Sequence, residues 1–223
     1  MSERLPETPS FVAAVMLAAG SATRMGGRPK CLMQWDGQSL IVRQIGAWRA
    51  AGITDIVVVL GHYAPAIAAV LHGLTVQVVH NPHPQEGQAS SLRIGLQASA
   101  QACPHAQGYL IGLADQPLIT ARDITDLLQA HQERPAGCTF TQARVAGQPG
   151  NPVVFTPEVR DALLAASGEW GGRQWQQAHP EQVYRWASGN AHYTMDLDSP
   201  EDVQAFTLRT GRDLVWPAPG GTP

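Results

Sequence analysis

Basic residues are few in this sequence and never form a run. Lys and Arg number 15 against 18 Asp and Glu, for a formal net charge of −3. The balance gives no general reason to expect nucleic-acid binding, whose electrostatic footprint is a basic stripe or tail. Cysteine is scarcer. Cys31, Cys103 and Cys138 form no CxxC pair, and their odd number argues against a disulfide framework, so a reduced, cytoplasmic setting is expected. The eight histidines show neither HExxH nor Cys/His zinc spacing, and His80 and His83, flanking a Pro-rich loop, read as turn residues. Long apolar runs are missing as well. Phe11 to Ala19 is about half the length that a transmembrane helix needs. Met1 to Ser10 is polar, carries Glu3 and Glu7, and lacks the basic start and apolar core of a signal peptide. The expectation is a soluble protein that engages neither nucleic acid nor membrane.

What is present is an alternating pattern. Phe11 to Ala19 is apolar on both faces, as in a central strand of a parallel sheet. Strands are also expected at Asp55–Leu60, Thr75–Val79 and Gly108–Leu113, with helices between them at Leu40–Ala51, Pro65–Leu71 and Gln88–Ala100, and another after them at Ile124–His131. This alternation predicts a single three-layer α/β domain with a mostly parallel central sheet. The second half is less regular. Cys138–Ala143 and Val153–Phe155 read as strands flanking a Gly/Pro-rich turn, Pro157–Ala166 as a helix, and His192–Leu197 as a short strand. Ser199-Pro-Glu-Asp202 has the cap, the first-turn Pro and the acidic residues of a helix start. The domain is expected over residues 11–210, after an extension at 1–10 and before a Pro/Gly-rich flexible tail at 211–223.

Gly20 to Lys30 follows the first strand, at the carboxyl end where open α/β sheets bind ligands. Gly20, Gly26 and Gly27 let backbone N–H groups approach anionic oxygens, Ser21 and Thr23 add hydroxyls, and Arg24, Arg28 and Lys30 add positive charge. This composition suits a polyphosphate. A Walker P-loop is excluded, because Lys30 follows Pro29 and precedes Cys31, and the dinucleotide pattern G-x-G-x-x-G is missing. Asp115, just past an apolar strand, reads as a metal-binding carboxylate or a helix cap. Asp198 precedes a helix N-cap, and Asp196 lies on the same side if that stretch is extended.

Leu17-Ala-Ala-Gly-Ser-Ala-Thr-Arg-Met-Gly26 with Pro29-Lys30 resembles the LAAG-x-x-x-R-M-G…P-K loop of MobA-like nucleotidyltransferases, and within them the molybdenum cofactor cytidylyltransferases. The resemblance continues in order through Asn81-Pro82 with Glu86–Leu92, Leu113–Leu118, Gly150–Phe155 and Asp196–Asp202. It implies a GT-A-like fold and transfer of CMP from CTP to a phosphorylated acceptor, most simply molybdopterin or its molybdenum-loaded form, with Mg²⁺ and release of pyrophosphate. A client molybdoenzyme would be the protein partner. It further implies nucleotide contacts along Leu17, Ala18, Ala19, Gly20 and Ser21, then Arg24, Met25, Gly26 and Lys30, with Arg24 and Lys30 acting on the transferring phosphate. Ser90 and Ser91 would touch base and ribose, and Gln88 would read a base edge. Asp115 and Asp198 match the metal ligands, with Asp196 a supporting residue or a ligand in place of Asp198.

The chain departs from the family's pattern on the acceptor side. The family usually has His where Asn151 stands, and Gly-Asp-x-Gly-Ala-Arg where this chain has Gly168-Glu-Trp-Gly-Gly-Arg173. Asn151 and Arg173 are therefore the acceptor candidates. Two alternatives stay open: a related transferase using GTP or another NTP with a different phosphorylated acceptor, and a non-catalytic nucleotide- or cofactor-binding accessory protein.

Overall fold

The computed structural model describes residues 12–217; Phe11, the extension at 1–10 and the last residues of the tail lie outside them. The first apolar run forms strand β1 (Val12–Ala18). It pairs in parallel with β4 (Ile56–Leu60) on one side and β6 (Gly108–Leu113) on the other, and β4 pairs in parallel with β5 (Gln77–His80). Beyond β6 come β8 (Gln148–Phe155), β7 (Phe140–Val145) and β9 (Val183–Ala187), completing a seven-stranded sheet of order β5-β4-β1-β6-β8-β7-β9. The β8 pairings with β6 and β7 are antiparallel, while β7 and β9 run parallel, so only β8 opposes the common direction. The start of β8 thus lies at the same sheet edge as the carboxyl ends of the other strands, which brings Asn151 to the ligand-binding edge. The short hairpin of β2 (Gln34–Trp35) and β3 (Gln38–Ser39) lies outside this sheet.

Alternation along β1 divides the core into two layers. Ala14, Met16 and Ala18 face a cluster with Ile41, Ile45 and Trp48 of α1 (Leu40–Ala50), Ile67 and Leu71 of α2 (Ala64–Leu71), and Ile124 and Leu127 of α4 (Ala121–Gln132). Ala13, Val15 and Leu17 face Leu92 and Leu96 of α3 (Gln88–Ala102), Val159 and Leu163 of α5 (Pro157–Ala165), and Trp175 of α6 (Gly172–Ala178). Helix α3 lies so close to the sheet that a Cβ at Gly95 would sit 2.3 Å from Val15 Cγ1 and 2.8 Å from Val59 Cγ2. The α/β architecture, the three layers and the dominance of parallel pairing agree with the sequence reading.

A third cluster supports the glycine loop. Met25, Met33, Leu118, Leu197 and Leu214 gather with Phe206 of α7 (Pro200–Thr210). Leu214 belongs to the segment expected to be flexible. Val215 exchanges main-chain hydrogen bonds with Gln34 at 2.7 and 3.0 Å, and the Arg28 guanidinium lies 4.1 Å from the Trp216 ring centroid. Residues 214–216 are therefore packed, because burial of Leu214 and two ladder bonds offset the chain entropy of that short stretch.

Two further expectations are revised. His192–Leu197 is not a strand. Ala191–Thr194 is a 3₁₀ turn in which the Asn190 side chain accepts from His192 N, a local bond that competes with a ladder. The hairpin turn between β7 and β8 is Ala146-Gly147, both at positive φ (49° and 80°), so the prolines at 149 and 152 lie within β8. Such positive angles suit the primed turns that match strand twist.

Candidate functional site

After β1 the chain turns sharply. Ala22 sits in the left-handed region at φ 52°, Thr23–Met25 make one 3₁₀ turn, and Gly26 and Gly27 follow at 64° and 73°. Ala22 O accepts from Met25 N at 3.0 Å and from Gly27 N at 3.1 Å, which closes the loop. An alanine at this φ costs about 1–2 kcal/mol. Such cost is kept where a loop must hold one shape. A cavity of about 240 Å³ opens under the loop, lined by Leu17, Ala18, Gly20, Ser21, Arg24, Met25 and Lys30 from the loop side and by Asp115 and Asp198 opposite. Of the expected loop contacts, Ala19 and Gly26 are outside this lining: Ala19 is buried, and Gly26 forms the turn.

Asp115 follows β6, and Leu197 N donates to Asp115 O at 3.1 Å, so Asp196 and Asp198 are hung beside it. Asp202 Oδ2 accepts from the main-chain N–H groups of Asp198 and Ser199 at 2.8 and 2.7 Å, fixing the segment at the α7 cap. Lys30, the single lysine of the chain, reaches between the carboxylates. Its Nζ is 2.6 Å from Asp115 Oδ2 and 2.8 Å from Asp198 Oδ1, and Arg24 Nη2 is 2.8 Å from Asp198 Oδ2. Burial alone would lower the Lys30 pKa, yet the two carboxylates together leave it raised. The Lys30 hydrogen bond is the main reason that the Asp198 pKa is lowered. Asp196 has the opposite fate: burial, then the charges of Asp115 and Asp198, push its pKa up to about 6.

The donors suit a hard divalent cation. Among the described residues, Asp115 Oδ1 and Asp196 Oδ1 are buried and meet no hydrogen-bond partner. Also among them, no group of three or more His, Cys, Asp or Glu could hold a metal ion. The two unpaired oxygens fit a divalent cation bound through one or two carboxylates, with waters completing its shell.

A larger cavity of about 870 Å³ adjoins the first, with Leu17 lining both and Asp196 on its wall. Gln88, Asn151 and Arg173 all line it, so three of the expected substrate residues are brought together. Ser90 and Ser91 do not. Both are buried, and the Asn81 amide donates to their hydroxyls at 3.2 and 3.0 Å. The expected ribose and base contacts do not fit that placement; these serines anchor the 81–87 loop to α3, and Glu86, Gly87, Gln88 and Ala89 form the wall.

Several lining residues were not singled out from sequence. Phe140, Gln142 and Arg144 line the cavity from β7 and Arg185 from β9. Their signal was the period of two along β7. Gln116 is also new. It is buried, and its Nε2 donates to the main-chain oxygens of Asn151 and Tyr193, both at 3.2 Å, tying the Asp115 turn to the start of β8. Among the described residues, no helix is long and apolar enough to cross a membrane.

Comparison with known proteins agrees with this geometry. A nicotine blue oxidoreductase from Paenarthrobacter nicotinovorans is 29% identical over 198 residues, covering 86% of this chain and 94% of that protein. The bifunctional protein GlmU of Syntrophomonas wolfei is 31% identical over 140 residues; the match covers 62% of this chain but only 30% of that relative. Among solved structures, Rv0371c from Mycobacterium tuberculosis H37Rv superposes with a TM-score of 0.72 at 25% identity, covering 89% of this chain and 98% of that one. The same protein in complex with manganese gives 0.67 at 25% identity, covering 87% and 97%. The model of the MobA-like NTP transferase domain matches residues 14–183, which takes in most of β1, the glycine loop, Lys30 and Asp115. With that match over most of the chain, the chain belongs to the MobA-like NTP transferase family and is a nucleotidyltransferase.

Proposed function

We propose that the chain transfers CMP from CTP to the terminal phosphate of a pterin-type acceptor, most simply molybdopterin, releasing pyrophosphate. The observation that carries this reading is the junction of the two cavities at Leu17, with Asp196 on the wall of the larger one. A nucleotide in the smaller one would present its α-phosphate to an acceptor in the larger one. An acceptor phosphate is already ionised at neutral pH, so no general base is required. Its oxygen forms a bond to the α-phosphorus, the bond from that phosphorus to the bridging oxygen of the β-phosphate breaks, and pyrophosphate leaves with the electron pair. Main-chain N–H groups of the Gly20–Gly26 loop would hold the phosphates. Arg24 and Lys30 would balance charge on the α-phosphate and the departing group, so that catalysis is mostly positioning and electrostatics. A divalent cation held by Asp115 and Asp198 supplies charge neutralisation to the triphosphate when bound.

The preference for cytosine rests on the Ala18-Ala19-Gly20 form of the loop and on Pro29. The pterin class is supported by the size of the second cavity and by its lining: aromatic surface from Phe140 and Phe155, amides from Gln142 and Asn151, and guanidinium groups from Arg144, Arg173 and Arg185. Flat heterocycles with donor and acceptor edges fit such walls. The free cysteines suit work in the cytoplasm, ahead of a client molybdoenzyme. The test is pyrophosphate release from each of four NTPs with Mg²⁺ and phosphorylated pterin. Release with CTP well above the others supports the reading; no release from any NTP sinks it. Indifference of turnover to Asp115→Ala would instead favour a binding module. A second reading comes from the relative named as an oxidoreductase, matched over 94% of its length. Redox turnover of nicotine blue, independent of Lys30, would favour it.

A further inference from the structure

Lys30 is expected to serve the triphosphate, yet in this structure its ammonium is committed elsewhere. It sits between Asp115 Oδ2 and Asp198 Oδ1 at 2.6 and 2.8 Å, with its side chain only 16% exposed. Those are the two carboxylates that would hold the divalent cation in the reading above. Both oxygens of Asp198 are already paired, since its Oδ2 is taken by Arg24. A divalent cation entering between Asp115 and Asp198 therefore meets three oxygens already bound to cations, while the fourth, Asp115 Oδ1, is buried and unpaired. Both cannot share them at these distances without strong like-charge repulsion, because the pocket is partly shielded from water.

We propose that Lys30 is a placeholder in the cation site: the Lys30 bridge and a bound divalent cation exclude one another, and arrival of the cation releases the ammonium toward the triphosphate. This rests on the transferase reading above and adds a fixed coupling between cation and nucleotide. The parts needed for the exchange are present. The Lys30 backbone is held by the 3₁₀ turn Lys30–Leu32 after Pro29, so only the side chain has to move. Its flexible four-carbon stem can carry the charge across the small cavity that Lys30 itself lines. Arg24, with 68% of its side chain exposed, can leave Asp198 into solvent with little rearrangement. The bridge also keeps two close carboxylates compensated before any substrate arrives, and it withholds the phosphate-binding ammonium until the cation is in place. A nucleotide bringing its own cation would trigger both changes at once.

Because the chain has one lysine, biosynthetic incorporation of [ε-¹³C]lysine gives a single reporter resonance from the intact protein. Titration with Mg²⁺ should move that resonance in step with cation binding, before any CTP is added. In parallel, Mn²⁺ binding is followed by the electron spin resonance of free Mn²⁺ for wild type, Lys30→Gln and Asp115→Asn. Lys30→Gln should bind Mn²⁺ more tightly than wild type, by a factor of about 5 to 150, the usual range for coupled sites. Asp115→Asn should bind it more weakly. An unmoved lysine resonance at saturating cation, a Lys30→Gln variant that binds no more tightly than wild type, or no cation binding by any form overturns the exchange. Pyrophosphate release by the wild type is scored separately. Release without exchange leaves the transferase reading standing, while exchange without release retains the cation site and removes that reading.

Discussion

Gln116 donates from Nε2 to the main-chain oxygen of Asn151 at 3.2 Å, and this bond joins the turn that carries Asp115 to the strand that opens the larger cavity. The same amide nitrogen serves Tyr193 O, just before the segment that carries Asp196 and Asp198. One buried side chain thus fixes three pieces of the site relative to one another.

Replacing Gln116 by Leu keeps the volume but strands the Asn151 and Tyr193 carbonyls. The expected loss of stability is about 1–3 kcal/mol, the cost of leaving buried polar groups unpaired. Because the displaced pieces come from both cavities, KM for nucleotide and for acceptor should rise together. Urea denaturation and steady-state kinetics check this; a variant with wild-type KM for both substrates would show that the amide is only a packing element.

Asp196 gives a pH signature. Its pKa is raised from 3.8 to about 6, first by burial and then by the neighbouring Asp115 and Asp198. The unfolded chain therefore loses this proton earlier in a pH rise than the folded chain does. The stability associated with protonated Asp196 is complete below pH 4, falls through the interval from about 4 to 6, and stays lost above it. Asp196→Asn, which never ionises, should gain stability relative to wild type across that interval, reaching on the order of 2–3 kcal/mol near pH 7. Denaturation of both forms in chelator at pH 4, 5, 6 and 7 measures the difference. A difference independent of pH would contradict the prediction.

The C-terminal segment should matter to the phosphate loop. Trp216 lies against Arg28, Val215 pairs with Gln34, and Leu214 is buried beside Met25 and Met33. Trp216→Ala removes a cation–π contact of about 0.5–1 kcal/mol. Ending the chain after Asp213 also removes buried Leu214, with a further expected cost of about 2 kcal/mol or more. Both changes should raise KM for nucleotide, the truncation more, while acceptor KM stays close to wild type. Thermal unfolding with and without nucleotide reads the same effect as a reduced ligand-induced shift.

Much of the glycine-loop cavity was legible in the sequence because its signals are local. β1 is a continuous apolar run, the loop concentrates glycine with Arg24 and Lys30, and Asp115 follows an apolar strand directly. The larger cavity was less legible because it depends on pairing between distant segments. Arg185 reaches the cavity only because β9 pairs with β7, placing it opposite Gln142. The β9 sequence, Val-Tyr-Arg-Trp-Ala, is half exposed and carries no buried run, and α6 has seven residues with glycine at its start. Ser90 and Ser91 carry donors suited to a ribose, but their hydroxyls point to Asn81, which lies nine and ten residues earlier in the chain. Residue type gave the chemistry there, and the direction of the side chain decided its use.

That dependence on long-range pairing makes the arginines of the large cavity the sharpest test of the acceptor assignment. Arg173 lines it from the start of α6, and Arg144 and Arg185 from neighbouring strands. A hydrogen bond from a guanidinium to an anion contributes about 1.5–3 kcal/mol, roughly 10- to 150-fold in affinity. Arg173→Ala should therefore raise KM for a phosphorylated acceptor by about tenfold or more while KM for CTP changes little, because Arg173 is remote from the glycine-loop cavity lining. Arg144→Ala should show the same split, accompanied by some loss of stability, since Arg144 Nη1 also donates to Gly147 O within its own hairpin. Measuring both KM values for each variant separates the cavities. If Arg173→Ala weakened CTP and spared the acceptor, the assignment of nucleotide and acceptor to the two cavities would have to be reversed.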